Sequence, residues 1–157
     1  MKLLATAHPL NGLQRLLLTA WVGGMWAIGY VVAPVLFSAI ESRMQAGAIA
    51  GILFTILSWI GLGCGGLILV LQWRAGSRGI SRVAIVSVIL MLVITAIGQF
   101  GIQPVMAGLK TLVTPGTEMS GALRERFGMW HGISSVLFLC SSLLGALAVW
   151  RSGPPAG

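Results

Sequence analysis

The charged residues of this 157-residue chain all stand outside four long apolar blocks. No Asp, Glu, Lys or Arg lies between Arg15 and Glu41, Arg43 and Arg74, Arg82 and Lys110, or Arg126 and Arg151. Each block is longer than the roughly 20 residues with which an α-helix crosses a ~30 Å hydrocarbon layer. One such block could be a buried helix of a soluble protein. Four in succession leave too little polar surface to face water, so the pattern predicts an all-α, polytopic transmembrane four-helix bundle.

Composition agrees. The chain is 57% apolar and 8% charged, with a mean hydropathy of +0.96, against about 25% charged residues in a soluble domain. Spans at approximately 16–40, 47–73, 83–107 and 127–150 use nearly the whole length, leaving room for a single membrane domain over 1–157. The net charge of +7 does not indicate nucleic acid, because the ten basic residues are scattered at helix ends and form no run or stripe. Cationic flanks that orient helices and meet lipid headgroups explain them. The expected partners are the lipid bilayer, other membrane proteins and a second copy of the chain.

The N-terminus lacks a secretory signal core: Leu3 to Ala7 is interrupted by His8, Pro9, Asn11, Gln14 and Arg15, so the first span is expected to be retained. Cys64 and Cys140 fall inside apolar blocks with no C-x-x-C pair or Cys/His cluster. They read as small buried hydrophobes, without a zinc site or disulfide framework.

Counting basic residues orients the helices. Lys2, Arg15, Arg74, Arg78, Arg82 and Arg151 share one side with no acid. Arg43, Lys110, Arg124 and Arg126 share the other with Glu41, Glu118 and Glu125. The positive-inside rule then places both termini in the cytoplasm, and the expected location is a cell inner membrane.

Lipid provides no hydrophobic drive for helix association, so stripes of small and polar residues mark the interfaces. Gly47, Gly51, Gly61 and Gly65 form such a stripe with Thr55 and Ser58 in the second span. Gly128 and Gly132 offer a Gly-x-x-x-Gly pair in the fourth. All six are expected to pack helices, within the chain more readily than in a homo-oligomer.

Polar residues converge in depth on the half away from the termini. Tyr30 and Pro34 lie late in the first span, Gln99, Gln103 and Pro104 late in the third, and His131 early in the fourth, with Ser134 beside it. Each proline removes a backbone donor and loosens the turn before it, and the freed carbonyls need partners within the protein. Gln103 and His131 could supply them. Arg124 stands seven residues before His131 and would share its face in a helix that begins early. The expectation is a polar vestibule built from these residues.

An ionisable residue at membrane depth is by default a functional hypothesis. His131 is therefore the one candidate metal or haem ligand. Bis-histidine ligation lacks a second inward His, since His8 precedes the first span. His–Met ligation with Met106 or Met129 is conceivable. No nucleophile motif, phosphate loop or paired carboxylates occur, so no cofactor and no catalytic residue is expected, and a non-enzymatic accessory or interaction protein leads. A metal- or haem-linked membrane redox or transfer protein using His131 is the alternative.

The segments Ala33-Pro34-Val35-Leu36-Phe37, Gln103-Pro104-Val105-Met106 and Phe127-Gly128-Met129-Trp130-His131-Gly132-Ile133-Ser134 resemble the bacterial relatives of transmembrane protein 205. That is a four-span membrane family of uncharacterised function, and the likeness runs over nearly the full chain. It departs at Val105, where a basic residue often follows the proline in that family. This weakens an anion-binding role for that position.

Overall fold

The computed structural model describes residues 9–75, 80–113 and 119–152. Lys2, His8, Arg78 and Glu118, which figure in the sequence analysis, lie outside the described residues. Four apolar helical stretches cross the bundle: Asn11–Ala39, Arg43–Arg74, Arg82–Thr111 and Gly121–Arg151. Among the described residues there is no strand. The protein is a multi-pass membrane protein with an all-α four-helix architecture.

Two of the spans are interrupted, and both interruptions have the same cause. The first consists of α1 (Pro9–Trp26), a π-helical turn (Ala27–Val32) and α2 (Ala33–Ala39). The second is the unbroken α3 (Arg43–Ala75). The third consists of α4 (Arg82–Ala96), a π-helical turn (Ile97–Ile102) and α5 (Gln103–Thr111). The fourth is α6 (Gly121–Arg151). Each π turn ends two residues before a proline, Pro34 or Pro104. A proline ring clashes with the carbonyl four residues back, here Tyr30 and Phe100, and a wider turn relieves the clash. The backbone shows the widening directly: Ala33 N–H donates to Ile28 O, and Gln103 N–H to Gly98 O, five residues back in both cases.

The spans run beyond the expected boundaries at most ends, because charged residues were read as stops. An α-helix that emerges from lipid can continue with charged side chains in the headgroup region. Thus α6 begins at Gly121 and includes Arg124, Glu125 and Arg126. Gly121 starts it with φ of +57°, which an L side chain rarely adopts. Short caps fix other starts: the Ser81 hydroxyl accepts from Ala84 N–H at 3.2 Å, and Ser42 from Gln45 N–H at 3.3 Å.

The helices form a ring. α4 shares its largest interface with α6, α1 packs on α3 and α6, and α3 on α4. The core occupies the half of the bundle that carries the 75–82 connection. There Leu18, Trp21, Val22 and Met25 of α1 meet Ile68 of α3, Ala84, Val88 and Met91 of α4, and Ala148 of α6. Gly61 and Gly65 are buried in this half: a Cβ at Gly61 would overlap the Trp21 indole, and one at Gly65 would overlap Leu92 and press on the edge of Trp21. Gly145 similarly admits Val22, whose Cγ2 lies 2.8 Å from where a Cβ would stand. Small residues here let helices approach, which is how association is secured in lipid.

The other half is built differently. No residue of the first π turn or α2 is buried, and in α6 burial begins only at Ser141. The outer parts of the first and fourth spans therefore splay apart, leaving the bundle closed at one end and open at the other. Gly128 and Gly132 sit on the splayed part with nothing within 4 Å of a Cβ. Among the described residues, the packing expected of them within the chain is thus not present: their spacing defines a face, but no described helix lies against it.

Candidate functional site: a vestibule in the open half

The splay encloses a cavity of about 1130 Å³ that residues of all four spans line. Its floor is Trp21, Met25, Leu57 and Ser141, the upper edge of the core. Aromatic rings form one wall. Phe138 of α6 stands edge-on to Tyr30 (centroids 5.8 Å, 61°) and to Phe54 (5.5 Å, 83°). Gly29, in the first π turn, makes this cluster possible, since a Cβ there would overlap the Phe138 ring.

Polar groups line the rest. Gln103, just past the second π turn, donates through Nε2 to Thr55 Oγ1 at 2.9 Å and to Gly51 O at 3.4 Å. Gln99, within that turn, is half-buried and lines the cavity. Its amide bonds no described residue. The hydroxyls are mostly turned back on their own helices: Thr55 to Gly51 O, Ser58 to Phe54 O, Thr95 to Met91 O, and both Ser134 and Ser135 to His131 O. Their donors are satisfied, as is usual for Ser and Thr within helices in an apolar setting.

Cations crown the mouth. Lys110, Arg124 and Arg43 all line the cavity, and no described lining residue is a carboxylate. Lys110 Nζ donates to Gly47 O at 3.3 Å and lies 5.8 Å over the Phe127 ring. Phe127 in turn stacks on His131 at 6.2 Å and 6°. Gly47 and Gly51, expected to bring helices together, instead leave space for side chains: Phe37 lies 3.8 Å from a Cβ at Gly47, and Lys110 Nζ 3.7 Å from one at Gly51.

Tyr30, Pro34, Gln99, Gln103, Arg124, His131 and Ser134 are all among the lining residues, so the depth argument gathers them into one space. Pro104 is exposed and lies outside that lining; its contribution is the π turn before it. The imidazole of His131 makes no hydrogen bond with any described residue, and its carbonyl, not its ring, receives the two serines. Among the described residues no three His, Cys, Asp or Glu side chains come together. Cys64 is half-buried, Cys140 is exposed, and both are free thiols.

Lys110, Phe54 and Phe138 are not among the vestibule residues that the sequence predicts, and Phe127 enters only as part of the family resemblance. Lys110 was counted as a flank, and phenylalanines in an apolar block carry no periodic signal against Leu and Val. The one available hint was Gly29, a glycine beside a tyrosine within a turn loosened by proline.

A family model described as a domain of unknown function, DUF4149, matches residues 16–115. The chain belongs to the DUF4149 family. The DUF4149 match covers most of the first span and all of the second and third, including both π turns, Gln103 and Lys110. It ends before α6, so Arg124, Phe127, His131 and Phe138 lie beyond the matched segment. No curated protein and no solved structure matches the chain.

Proposed function

We propose that this protein is a non-enzymatic accessory protein of a bacterial-type inner membrane, whose vestibule opens away from the cytoplasm and receives the apolar part of a guest molecule. The observation that carries this reading is the cavity itself. Its ~1130 Å³ slightly exceeds the roughly 300–1,000 Å³ of small-molecule sites, and apolar walls with a few convergent polar groups are the usual make-up of such sites. The excess of basic residues on the side of the 74–82 connection supports the orientation. Kinship with the bacterial relatives of transmembrane protein 205 belongs to the same proposal and rests on the three segments quoted above.

The test is saturable binding of a neutral solvatochromic dye to the purified protein in lipid nanodiscs. Wild type should bind the dye with a blue-shifted emission. Ser58→Phe and Gly51→Leu, which fill the cavity from one wall, should abolish the shift at an unchanged melting temperature. Non-saturable partitioning by wild type, no different from empty nanodiscs, would remove the vestibule as a binding site.

A further inference from the structure

Among the described residues that line the cavity, every charged side chain is cationic and stands at the mouth. Arg43, Lys110 and Arg124 come from three different spans and face the same space, with no described carboxylate among the lining residues. Lys110 is the informative member. It is half-buried, and its partners are a carbonyl oxygen and an aromatic face. Both offer only partial negative charge, and no described residue forms an ion pair with it.

A lysine near a helix end ordinarily snorkels, extending its ammonium to the headgroups. Lys110 does something else: its Nζ turns across the cavity mouth to the backbone of α3 at Gly47 and lies over Phe127 of α6. Two of its three donors are left for another acceptor. An ammonium withdrawn from water without a counter-charge is costly. A mouth with a single sign of charge and low-dielectric walls concentrates ions of the opposite sign. Below the cations lies a mostly apolar shaft, bounded by Phe54, Phe138, Met25 and Leu57 and floored by Trp21, with Gln99 and Ser141 among its polar groups.

We infer that the vestibule, read as above as a binding site, takes an anionic amphiphile: a carboxylate or phosphate headgroup held by Lys110 and Arg124, with a hydrocarbon tail directed to Trp21. A neutral guest would leave the half-buried Lys110 ammonium without a counter-charge among the described residues. A small inorganic anion would leave the shaft unfilled. Only a molecule with both parts satisfies both ends of the cavity.

The experiment uses the full-length protein in nanodiscs of zwitterionic phosphatidylcholine, so that the bilayer supplies no net anionic lipid. The probes are a fluorescent long-chain carboxylic acid and its methyl ester, with dodecyl phosphate and inorganic phosphate as competitors. The acid should bind about tenfold or more tighter than the ester, the weight of one charge-assisted hydrogen bond. Lys110→Gln should weaken the acid to the level of the ester and leave the ester unchanged, while Lys110→Arg keeps the preference. Arg124→Gln should weaken the acid in the same sense, which provides a second variant should Lys110→Gln fail to fold. Dodecyl phosphate should displace the acid, and inorganic phosphate should not. Equal binding of acid and ester by wild type would overturn the anionic assignment and leave the vestibule standing. Saturable binding of neither would remove both. Displacement by inorganic phosphate as readily as by dodecyl phosphate would show a bare anion site and overturn the amphiphile.

Discussion

Gln103 reaches from the third span to the second and donates to the Thr55 hydroxyl at 2.9 Å. The bond is placed one residue before Pro104, where the helix has already been widened and its backbone is least self-sufficient. Thr55 is itself anchored to Gly51 O, so the amide meets an acceptor held in position. This contact keeps the wall of the open half joined to α3 while the first and fourth spans splay.

Its energetic weight can be measured. Gln103→Leu and Thr55→Val in a double-mutant cycle should show a coupling near the ~0.6 kcal/mol average for polar contacts between membrane helices, and no more than about 1.7. Unfolding measured by steric trapping in bicelles provides the readout. Strict additivity would mean that the contact contributes nothing to stability.

The glycine seam under Trp21 should be intolerant of bulk. Gly61→Leu and Gly65→Leu force the indole out of its place, and overpacking of this kind costs about 1–3 kcal/mol. Ile60→Phe adds volume on a position that is 51% exposed and should be neutral. Thermal melts in detergent distinguish them, and three equal melting temperatures would contradict the close approach.

His131 should be expendable for folding. Its ring stacks on Phe127 and bonds no described residue, so His131→Ala should change stability by less than about 0.5 kcal/mol. If the residue works in the vestibule, the variant should accumulate to normal abundance yet fail to complement a deletion strain. A drop in abundance that accounts for the phenotype would make the residue structural.

Orientation follows from the basic connection between the second and third spans. In a background with Cys64 and Cys140 replaced by Ser, Thr117→Cys should react with an impermeant thiol reagent on intact spheroplasts, and Ser77→Cys should not. The reverse pattern would invert the topology and point the vestibule to the cytoplasm.

The four spans were legible because burying a single unpaired charge in lipid is expensive, so charge-free runs of such length have few other uses. Gly61 and Gly65 were legible as a small-residue stripe because their spacing places them on one helix face. The same spacing misled at Gly128 and Gly132, since a face is a property of one helix and a contact needs two. The positions of Tyr30, Gln103 and His131 could be matched in depth by counting residues along straight helices. Lys110 could not be placed, because the direction its side chain takes depends on Gly47 and Phe127, which no local pattern links to it. The early start of α6 was hidden by Arg124 and Arg126, whose charges mark the limit of the lipid and not of the helix.

The two π turns also reset the angular phase of the helices that contain them. Each holds about one residue more than the α-helical turn it replaces, and one residue corresponds to about 100° of rotation about the axis. The faces of α2 and α5 are therefore out of step with those of α1 and α4, and a single 3.6-residue count along either whole span assigns them wrongly. A homologue of the same length that closed 27–32 or 97–102 as an ordinary α turn would keep its floor at Trp21 and swing the matching wall, Tyr30 and Pro34 or Gln103 and Lys110, about a quarter-turn away from the cavity. The match between the length of these two short segments and the kind of turn they form would then govern whether such a chain has a vestibule at all.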